Sequence, residues 1–270
     1  MLATKAQTDT STFAYTKPLF DFDYNKPVLN ILSEKNTDGM LRYSTLTGYR
    51  EGVEPRANYA IYKKSGAMLV YKHNMSIEDM ILGGMRKSSH VILEVKDPSK
   101  YRYDSKYGQE QEWLRKNGHC FEMMLPDASL FKPGELSPEW SKKGGTAQKE
   151  LARLLGIEFG FEKRIIDVLV LVRTSNEDKI KSKGEGEPGW DHNGLMNNID
   201  GLGSHIQSIL YEADFPPMVD ETRYTGLVDL DLKLEKGMSL DQIRKALQHY
   251  DLELKQEKRE YEMFVIREIK

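Results

Sequence analysis

The chain has 270 residues, with 39 Lys and Arg against 42 Asp and Glu, so its formal net charge is −3. Its longest unbroken aliphatic run, Val168 to Val172, is far shorter than the roughly 18 to 20 apolar residues of a membrane-spanning helix. Charges of both signs are interspersed, and no basic half is present to attract nucleic acid or an anionic bilayer. These numbers exclude an integral helical membrane protein and indicate a folded chain without a nucleic-acid partner.

A signal for export is absent from the first residues. Met1 to Ala6 are followed by polar residues as far as Thr12, whereas a secretory signal needs an apolar core of about 7 to 15 residues. We therefore expect either a cytoplasmic chain or a piece whose export signal lies upstream. Residues 1–65 are rich in turn formers and predict an extended N-terminal segment with two short strands, around 27–31 and 40–46.

Helix starts are marked by Ser or Thr followed three residues later by an acid or amide, since this pair caps two backbone N–H groups. Such boxes begin at Ser76, Ser204 and Ser239, and a weaker one begins at Thr146. Two segments of strand character follow each start. In chain order they are 91–95 and 121–125, 157–161 and 167–172, 218–220 and 227–232, and 252–255 and 263–266. The pattern predicts a helix-strand-strand unit that occurs four times.

The second and fourth units resemble each other in sequence. Gly156–Arg164 aligns with Asp251–Arg259 at a constant offset of about 95 residues, with Glu-Lys-Arg in register. We therefore predict an α+β fold of two tandem modules, each of two helix-strand-strand units with small sheets covered by helices. The first module spans 66–174 and the second spans 190–270. The charged, Gly-containing segment 175–189 between them is expected to be a mobile linker that buries no apolar surface.

The repeated Glu-Lys-Arg could suggest an anion-binding pair. Each copy, at 162–164 and at 257–259, falls between two predicted short strands. We interpret both as charged hairpin connections, because loops favour such residues and exposed ion pairs contribute little.

Motifs of known chemistry are missing. Cys120 is the single cysteine of the chain, so neither an intrachain disulfide nor a Cys-x-x-Cys site can form. His119 and Cys120 are adjacent, which in a strand points them to opposite faces and argues against a nucleophile–base pair. The six His form no zinc-hydrolase pattern, and the Gly residues form no phosphate-binding loop. We therefore predict no catalytic residue, no metal ligand and no cofactor.

One aromatic and basic stretch is the best candidate for a contact surface. Tyr, Trp and Arg contribute most at interfaces, because they bury a large area at low entropic cost. The alternative is a long loop packed against its own module. The candidate partner contacts are Tyr101, Arg102, Tyr103, Tyr107 and Trp113.

Acidic residues near residue 220 are the other candidates. Asp220 ends an apolar segment, and Thr222 follows at a spacing that favours a structural turn over a catalytic acid. Asp229 and Asp231 lie two apart and so share one face of a predicted strand, which indicates a solvated outer face.

The residues from 217 to 232 also carry a family resemblance. The runs Pro-Met-Val-Asp-Glu-Thr at 217–222 and Asp-Leu-Asp-Leu at 229–232, with Gly226 between them, are similar to the C-terminal signature of a bacterial extracytoplasmic family of unknown function. The tail 252–266 and the order of the upstream segments extend the resemblance over roughly residues 66 to 270. Within the signature, Arg223 stands where the family has Gly, Tyr224 where it has Leu, and Val228 where it has Tyr. These departures suggest a divergent branch.

The resemblance implies a location and a role. Members of this family occur alone or attached to TlpA-like thiol-disulfide redoxins and BlaR-like sensor peptidases, which implies a periplasmic or other extracytoplasmic location. The family carries no known catalytic residues, and its signature turn corresponds here to Asp220, Thr222, Gly226 and Asp229. We therefore expect a non-catalytic envelope module that binds a protein or peptide partner. The alternatives are a ligand- or substrate-binding accessory domain of a TlpA-like redoxin and, with less support, a hydrolase.

Overall fold

A computed structural model describes residues 42–61, 66–83, 87–128 and 145–269, to which all structural statements apply. These residues form an α+β fold of five α-helices and eleven strands in three small sheets. They fall into two compact units. Unit 1 holds the described residues up to 83 and those of 96–157, and unit 2 holds those of 84–95 and 158–269. The strand predicted around 27–31 lies outside the described residues.

The elements alternate irregularly along the chain. In chain order they are β1 (Tyr43–Gly48), β2 (Arg56–Ile61), β3 (Met68–Met75), α1 (Ile77–Leu82), β4 (Val91–Glu94), α2 (Glu110–Asn117), β5 (His119–Leu125), α3 (Thr146–Leu155), β6 (Ile157–Arg173), β7 (Gly189–Trp190), β8 (Leu195–Ile199), α4 (Leu202–Glu212), β9 (Met218–Asp220), β10 (Val228–Asp231), α5 (Leu240–Gln248) and β11 (Leu252–Glu268).

Unit 1 is built on an antiparallel sheet in the order β1-β5-β3-β2. Strands β1 and β2 belong to the stretch that the sequence predicted to be an extended N-terminal segment. They pair along their whole length with β5 and β3, so residues 43–61 are part of this sheet. The sheet and its helices bury Met68, Met80, Phe121 and Leu151 almost completely.

The capping boxes locate two helix starts correctly. The Asp79 N–H donates to Ser76 Oγ at 3.0 Å, and α1 ends at Gly83 in the left-handed conformation. The Ser239 N–H donates to Gln242 Oε1 at 2.8 Å and opens α5. Both helix predictions are confirmed.

The other two starts are displaced. Helix α4 begins at Leu202, after Gly201 at φ 74°, so Ser204 lies inside the first turn rather than capping it. Helix α3 has Gly145 as its N-cap, and the Gly145 N–H donates to Gln148 Oε1 at 2.6 Å. A glycine can take the place of the hydroxyl residue because it costs little in the backbone conformation of a cap.

Unit 2 holds two sheets, in the orders β10-β8-β7 and β4-β11-β6-β9. In the second, β4 runs parallel to β11 with Val91 opposite Phe264, and β9 runs parallel to β6 with Met218 opposite Leu169. The central strands β6 and β11 each have 17 residues, and each contains four consecutive buried residues that are followed by two half-buried ones at its end. Such continuous apolar segments are typical of strands that are covered on both faces.

The prediction of two hairpin connections was wrong. Glu162-Lys163-Arg164 lies in the middle of the uninterrupted β6, and Glu257-Lys258-Arg259 lies in the middle of β11. The charged side chains stay extended because they pair across neighbouring strands, with 2.7 Å between Lys163 Nζ and Glu260 Oε1 and 3.8 Å between Lys258 Nζ and Asp167 Oδ2. Cross-strand pairs of opposite charge stabilise a sheet.

The segment 175–189 was predicted to be a linker that buries no apolar surface, and this was also wrong. Ile180 is 1% exposed and belongs to the apolar core of unit 2. Ser175 Oγ donates to Asp251 Oδ2 at 2.7 Å, and the Ser182 N–H donates to the Leu227 carbonyl at 2.9 Å. One buried isoleucine and these hydrogen bonds fix the segment on unit 2 despite its polar composition.

The apolar core of unit 2 lies between its sheets and the helices α4 and α5. Ile206 and Leu210 of α4 and Leu247 of α5 pack with Leu169 and Leu171 of β6. Among the described residues, no helix combines the length and the apolar character needed to cross a membrane.

Unit 1 contains a buried lysine. Lys72 of β3 is 8% exposed, and its ammonium group donates to the carbonyl of Met80 in the last turn of α1. Burial lowers the pKa of Lys72 to about 8, although the Asp79 carboxylate raises it in part. The charged form is therefore less stable in the native protein than in the unfolded chain.

We predict that Lys72 makes the protein more stable as the pH rises from 8 to 10.5. Between pH 8 and 10.5 the unfolded chain keeps a proton on Lys72 that the native protein has lost. The loss of this proton from native Lys72 therefore increases the free energy of unfolding. The increase is complete above pH 10.5 and disappears as the pH falls through 8. Relative to Lys72→Met, urea unfolding of the wild type should show a rise of up to about 3 kcal/mol across this interval.

The exposed lysine of α2 provides the control for this measurement. Lys116→Met should keep the pH dependence of the wild type, since Lys116 lies on the surface. Parallel pH profiles for the wild type and Lys72→Met would contradict the prediction.

Candidate functional site

The aromatic and basic stretch packs largely against unit 1 itself. Tyr101 and Trp113 are only 6% and 5% exposed, and Trp113 Nε1 donates to the Ser99 carbonyl at 2.8 Å. Arg102 binds Glu78 of α1 through two guanidinium nitrogens, with Nη2 at 2.9 Å from Oε1. These three side chains therefore support the fold of unit 1.

The remaining two side chains of the stretch lie nearer the solvent. Tyr103 donates its hydroxyl to the Gly108 carbonyl at 2.7 Å and meets the Trp113 ring edge-on. Tyr107 is 40% exposed, with Lys106 Nζ 5.0 Å from its ring centroid. Tyr107 is thus the member of the stretch that is best placed to contact another molecule.

The signature turn is held by local hydrogen bonds. Asp220 Oδ1 accepts from the Thr222 N–H at 2.8 Å and from its hydroxyl at 2.7 Å. Thr222 Oγ1 in turn accepts from the Tyr224 N–H at 3.2 Å. The Asp220 carboxylate is therefore engaged by its own turn, as Asp side chains commonly are.

Asp229 has a different structural role from Asp220. Its carboxylate accepts from the Lys183 N–H at 2.8 Å and from the Asn198 N–H at 2.7 Å, and these bonds lower its pKa. It therefore ties the 182–183 segment to β8. Gly226 lies in the loop between the turn and β10, where an added Cβ would come within 3.1 Å of the Tyr224 hydroxyl.

A close contact joins the signature turn to α4. A Cβ built on Gly203, in the first turn of the helix, would lie 2.1 Å from Asp220 Oδ2. Only a residue without a side chain leaves room for the Asp220 carboxylate at this place.

We predict that Gly203→Ala destabilises the protein by about 1–3 kcal/mol, because the new methyl group overpacks the contact. This is opposite in sign to the helix propensity of alanine, which would stabilise by about 1 kcal/mol. Chemical denaturation measures the change, and Ser204→Ala at the next, exposed position is the control. Adding Asp220→Ala to Gly203→Ala should recover part of the loss; a neutral Gly203→Ala would sink the prediction.

Unit 1 also contains a buried polar cluster that we did not predict from the sequence. Glu122 of β5 is 1% exposed and lies 2.8 Å from His73 Nε2 and 3.8 Å from Arg50 Nη1. Asn74, at φ 49°, donates to the carbonyls of Arg50 and Val53 at 2.7 Å each. The cluster thus fixes the β1–β2 connection on β3 and β5.

Cys120 belongs to the same cluster and is buried. Its thiol donates to Asn74 Oδ1 at 3.1 Å and accepts from the Asn74 N–H at 3.3 Å. Burial raises the pKa of Cys120, which keeps the thiol protonated and unreactive. This geometry is suited to structural support rather than nucleophilic chemistry.

We predict that Glu122→Gln destabilises the protein by about 3–5 kcal/mol, because Arg50 loses the buried carboxylate that compensates its charge. The matched control is Glu51→Gln. Glu51 pairs with Arg115 on the surface, with 2.8 Å between Arg115 Nε and Glu51 Oε1. Loss of this exposed pair should change the free energy of unfolding by less than about 1 kcal/mol. Thermal denaturation of both variants checks the difference, and equal effects would contradict the predicted role of burial.

A concave apolar site of unit 2 lies between α4 and α5. We call it the helix cleft; its volume is about 380 Å³. Its apolar lining comes from the end of α4, the segment before α5 and α5 itself, namely Ile209, Ala213, Leu234, Met238 and Ile243. Polar groups at its rim include Glu212, whose Oε2 lies 3.4 Å from Lys87 Nζ. A cleft of this kind can accept an apolar side chain of a ligand.

Three rings lie beside the helix cleft. Trp190 is 40% exposed, and its ring centroid lies 4.9 Å from that of His192 and 4.7 Å from that of His205. His192 also lines the helix cleft. Exposed Trp side chains are frequent at binding surfaces, because they bury much area on contact.

Within the part of the chain that the structure describes, no group of three or more His, Cys, Asp or Glu side chains could hold a metal ion. The residues that line the helix cleft include neither Ser nor Cys as a nucleophile. Comparison of the chain with protein-family models, curated proteins and solved structures finds no match.

Proposed function

We propose that this chain is a non-catalytic module of the bacterial envelope that binds a protein or peptide partner through the helix cleft of unit 2. The apolar lining of the cleft, open to solvent beside the exposed Trp190, is the observation that carries the proposal. Its volume of about 380 Å³ is sufficient for one large side chain, and a few buried anchors dominate the affinity of most interfaces. The envelope location rests on the family resemblance.

Peptide selection tests the helix cleft directly. Peptides displayed on phage and selected on the purified chain should share one large apolar residue. In fluorescence polarisation, Ala213→Arg should weaken their binding at least about tenfold, because the new side chain occupies the helix cleft. Gln207→Arg is the matched control: it adds the same charge to an exposed position of α4 that does not line the cleft.

Several results would count against this function. Peptides that bind both variants equally, or no enrichment over a blocked surface, would exclude the helix cleft as the binding site. Cleavage or modification of a selected peptide by the purified chain would overturn the non-catalytic part of the proposal.

The alternative is an accessory domain that holds ligands or substrates for a TlpA-like redoxin. The burial of Cys120 is compatible with this role, because the single thiol of the chain leaves disulfide exchange entirely to the redoxin. Under this alternative, adding the chain would change which disulfides the redoxin reduces.

We also infer that the chain carries two tandem modules, 66–174 and 190–270, that arose by duplication. Ion pairs of the repeated Glu-Lys-Arg support this. Arg164 Nη2 lies 2.5 Å from Glu162 Oε2 and 2.9 Å from Glu94 Oε1. The equivalent nitrogen of Arg259 contacts Glu257 at 2.6 Å and Glu221 at 3.5 Å.

Strand pairing gives the same correspondence. The offset of about 95 residues that aligns β6 with β11 also aligns Leu169 with Phe264. These two residues are the ones that face Met218 and Val91 in the parallel pairs. Each module therefore provides the edge strand for the long strand of the other. This exchange within one sheet explains why the compact units do not follow the module boundaries.

A further inference from the structure

A second concave site of unit 2 lies next to the signature turn. This loop pocket has a volume of about 490 Å³ and is walled by the 178–184 segment and by residues 223–227. The two walls are joined by the Ser182 N–H, which donates to the Leu227 carbonyl at 2.9 Å. The loop pocket is therefore a formed feature of the surface, with both walls held in place.

Positive charge dominates the lining of the loop pocket. Lys181 and Arg223 both line it and are exposed. No carboxylate of a described residue lies within 4.0 Å of either cation. The one acidic group in the lining, Asp178, is already paired with Arg173, whose Nη2 lies 3.7 Å from Asp178 Oδ1.

Apolar surface lies beside these cations. Leu227 is 48% exposed and lines the loop pocket together with Tyr224. Arg173 contacts the Tyr224 ring, and its guanidinium carbon is 5.5 Å from the ring centroid. A ligand that satisfies the whole loop pocket would combine an anionic group with an apolar neighbour.

The charges favour a single carboxylate over a phosphate dianion. Lys181 and Arg223 provide two positive charges, whereas Asp178 adds one negative charge to the same lining. A dianion would meet this repulsion without enough compensating donors, while a carboxylate needs only one bidentate cation and a second charge nearby.

We propose that the loop pocket is a carboxylate-binding site for an acidic group that is adjacent to an apolar residue, at the end or in the side chain of a peptide. The peptide as the source of the carboxylate rests on the proposed function. The preference for a carboxylate does not rest on the proposed function, because titration with small acids tests it without a peptide.

The experiment uses the whole chain and four probes: N-acetyl-leucine, its uncharged amide, inorganic phosphate, and acetyl-Leu-Glu-amide. Amide chemical shifts followed during titration at low salt should move at residues 181–184 and 223–227 with N-acetyl-leucine. The uncharged amide and phosphate should each bind at least about fivefold more weakly, as expected for the loss of about 1 kcal/mol of charge pairing. Tighter binding of N-acetyl-leucine than of acetyl-Leu-Glu-amide would identify a terminal carboxylate as the ligand, and the reverse order a side chain.

Variants locate the site. Arg223→Gln and Lys181→Gln should each weaken binding of N-acetyl-leucine about fivefold with an unchanged thermal midpoint. Lys245→Gln is the control, because Lys245 is an exposed lysine of α5 that lines neither the loop pocket nor the helix cleft. The proposal would be overturned by equal affinity for the acid and its amide, by tighter binding of phosphate, or by equal effects of all three variants. It would also be overturned if N-acetyl-leucine at about 20 mM, roughly the weakest affinity that would be useful, caused no shift. The peptide selection could fail at the helix cleft while these titrations succeed, so the two proposals are separable.

Discussion

The pairing of β6 with β11 is the interaction on which unit 2 depends. These two strands of 17 residues occupy the centre of the sheet, and the edge strands β4 and β9 have no other neighbour in it. Their apolar ends bury the core under α4 and α5, while charged pairs hold their middle parts together. Because these helices rest on that core, the helix cleft is supported by buried residues of the unit.

Local sequence rules predicted much of the secondary structure. The boxes at Ser76 and Ser239 gave two helix starts, since a cap depends only on residues within one turn. The rules failed where distant residues decide the conformation. Glu162-Lys163-Arg164 is extended because its charges have partners in the neighbouring strand β11, and 175–189 is fixed by Ile180, a single apolar side chain.

The candidate sites were less predictable than the fold. Asp220 and Thr222 could be assigned to a turn because their hydrogen bonds are local. The helix cleft and the loop pocket are made of residues from segments far apart in the chain, and no local pattern shows that these segments meet. One signal was visible for the buried cluster: Glu122 is the only charged residue in an otherwise apolar run of five, and such a residue needs a buried partner.

The parallel pairing of β4 with β11 has a consequence for biosynthesis. Residues 91–94 of β4 pair with residues 264–267 of β11, so they leave the ribosome long before their partner exists. At translation rates of about 5–20 residues per second, β4 waits on the order of ten seconds or more with its apolar residues unpaired. The sheet of unit 2 therefore closes only after residues 264–267 have been synthesised, and until then the apolar residues of β4 lack this pairing partner.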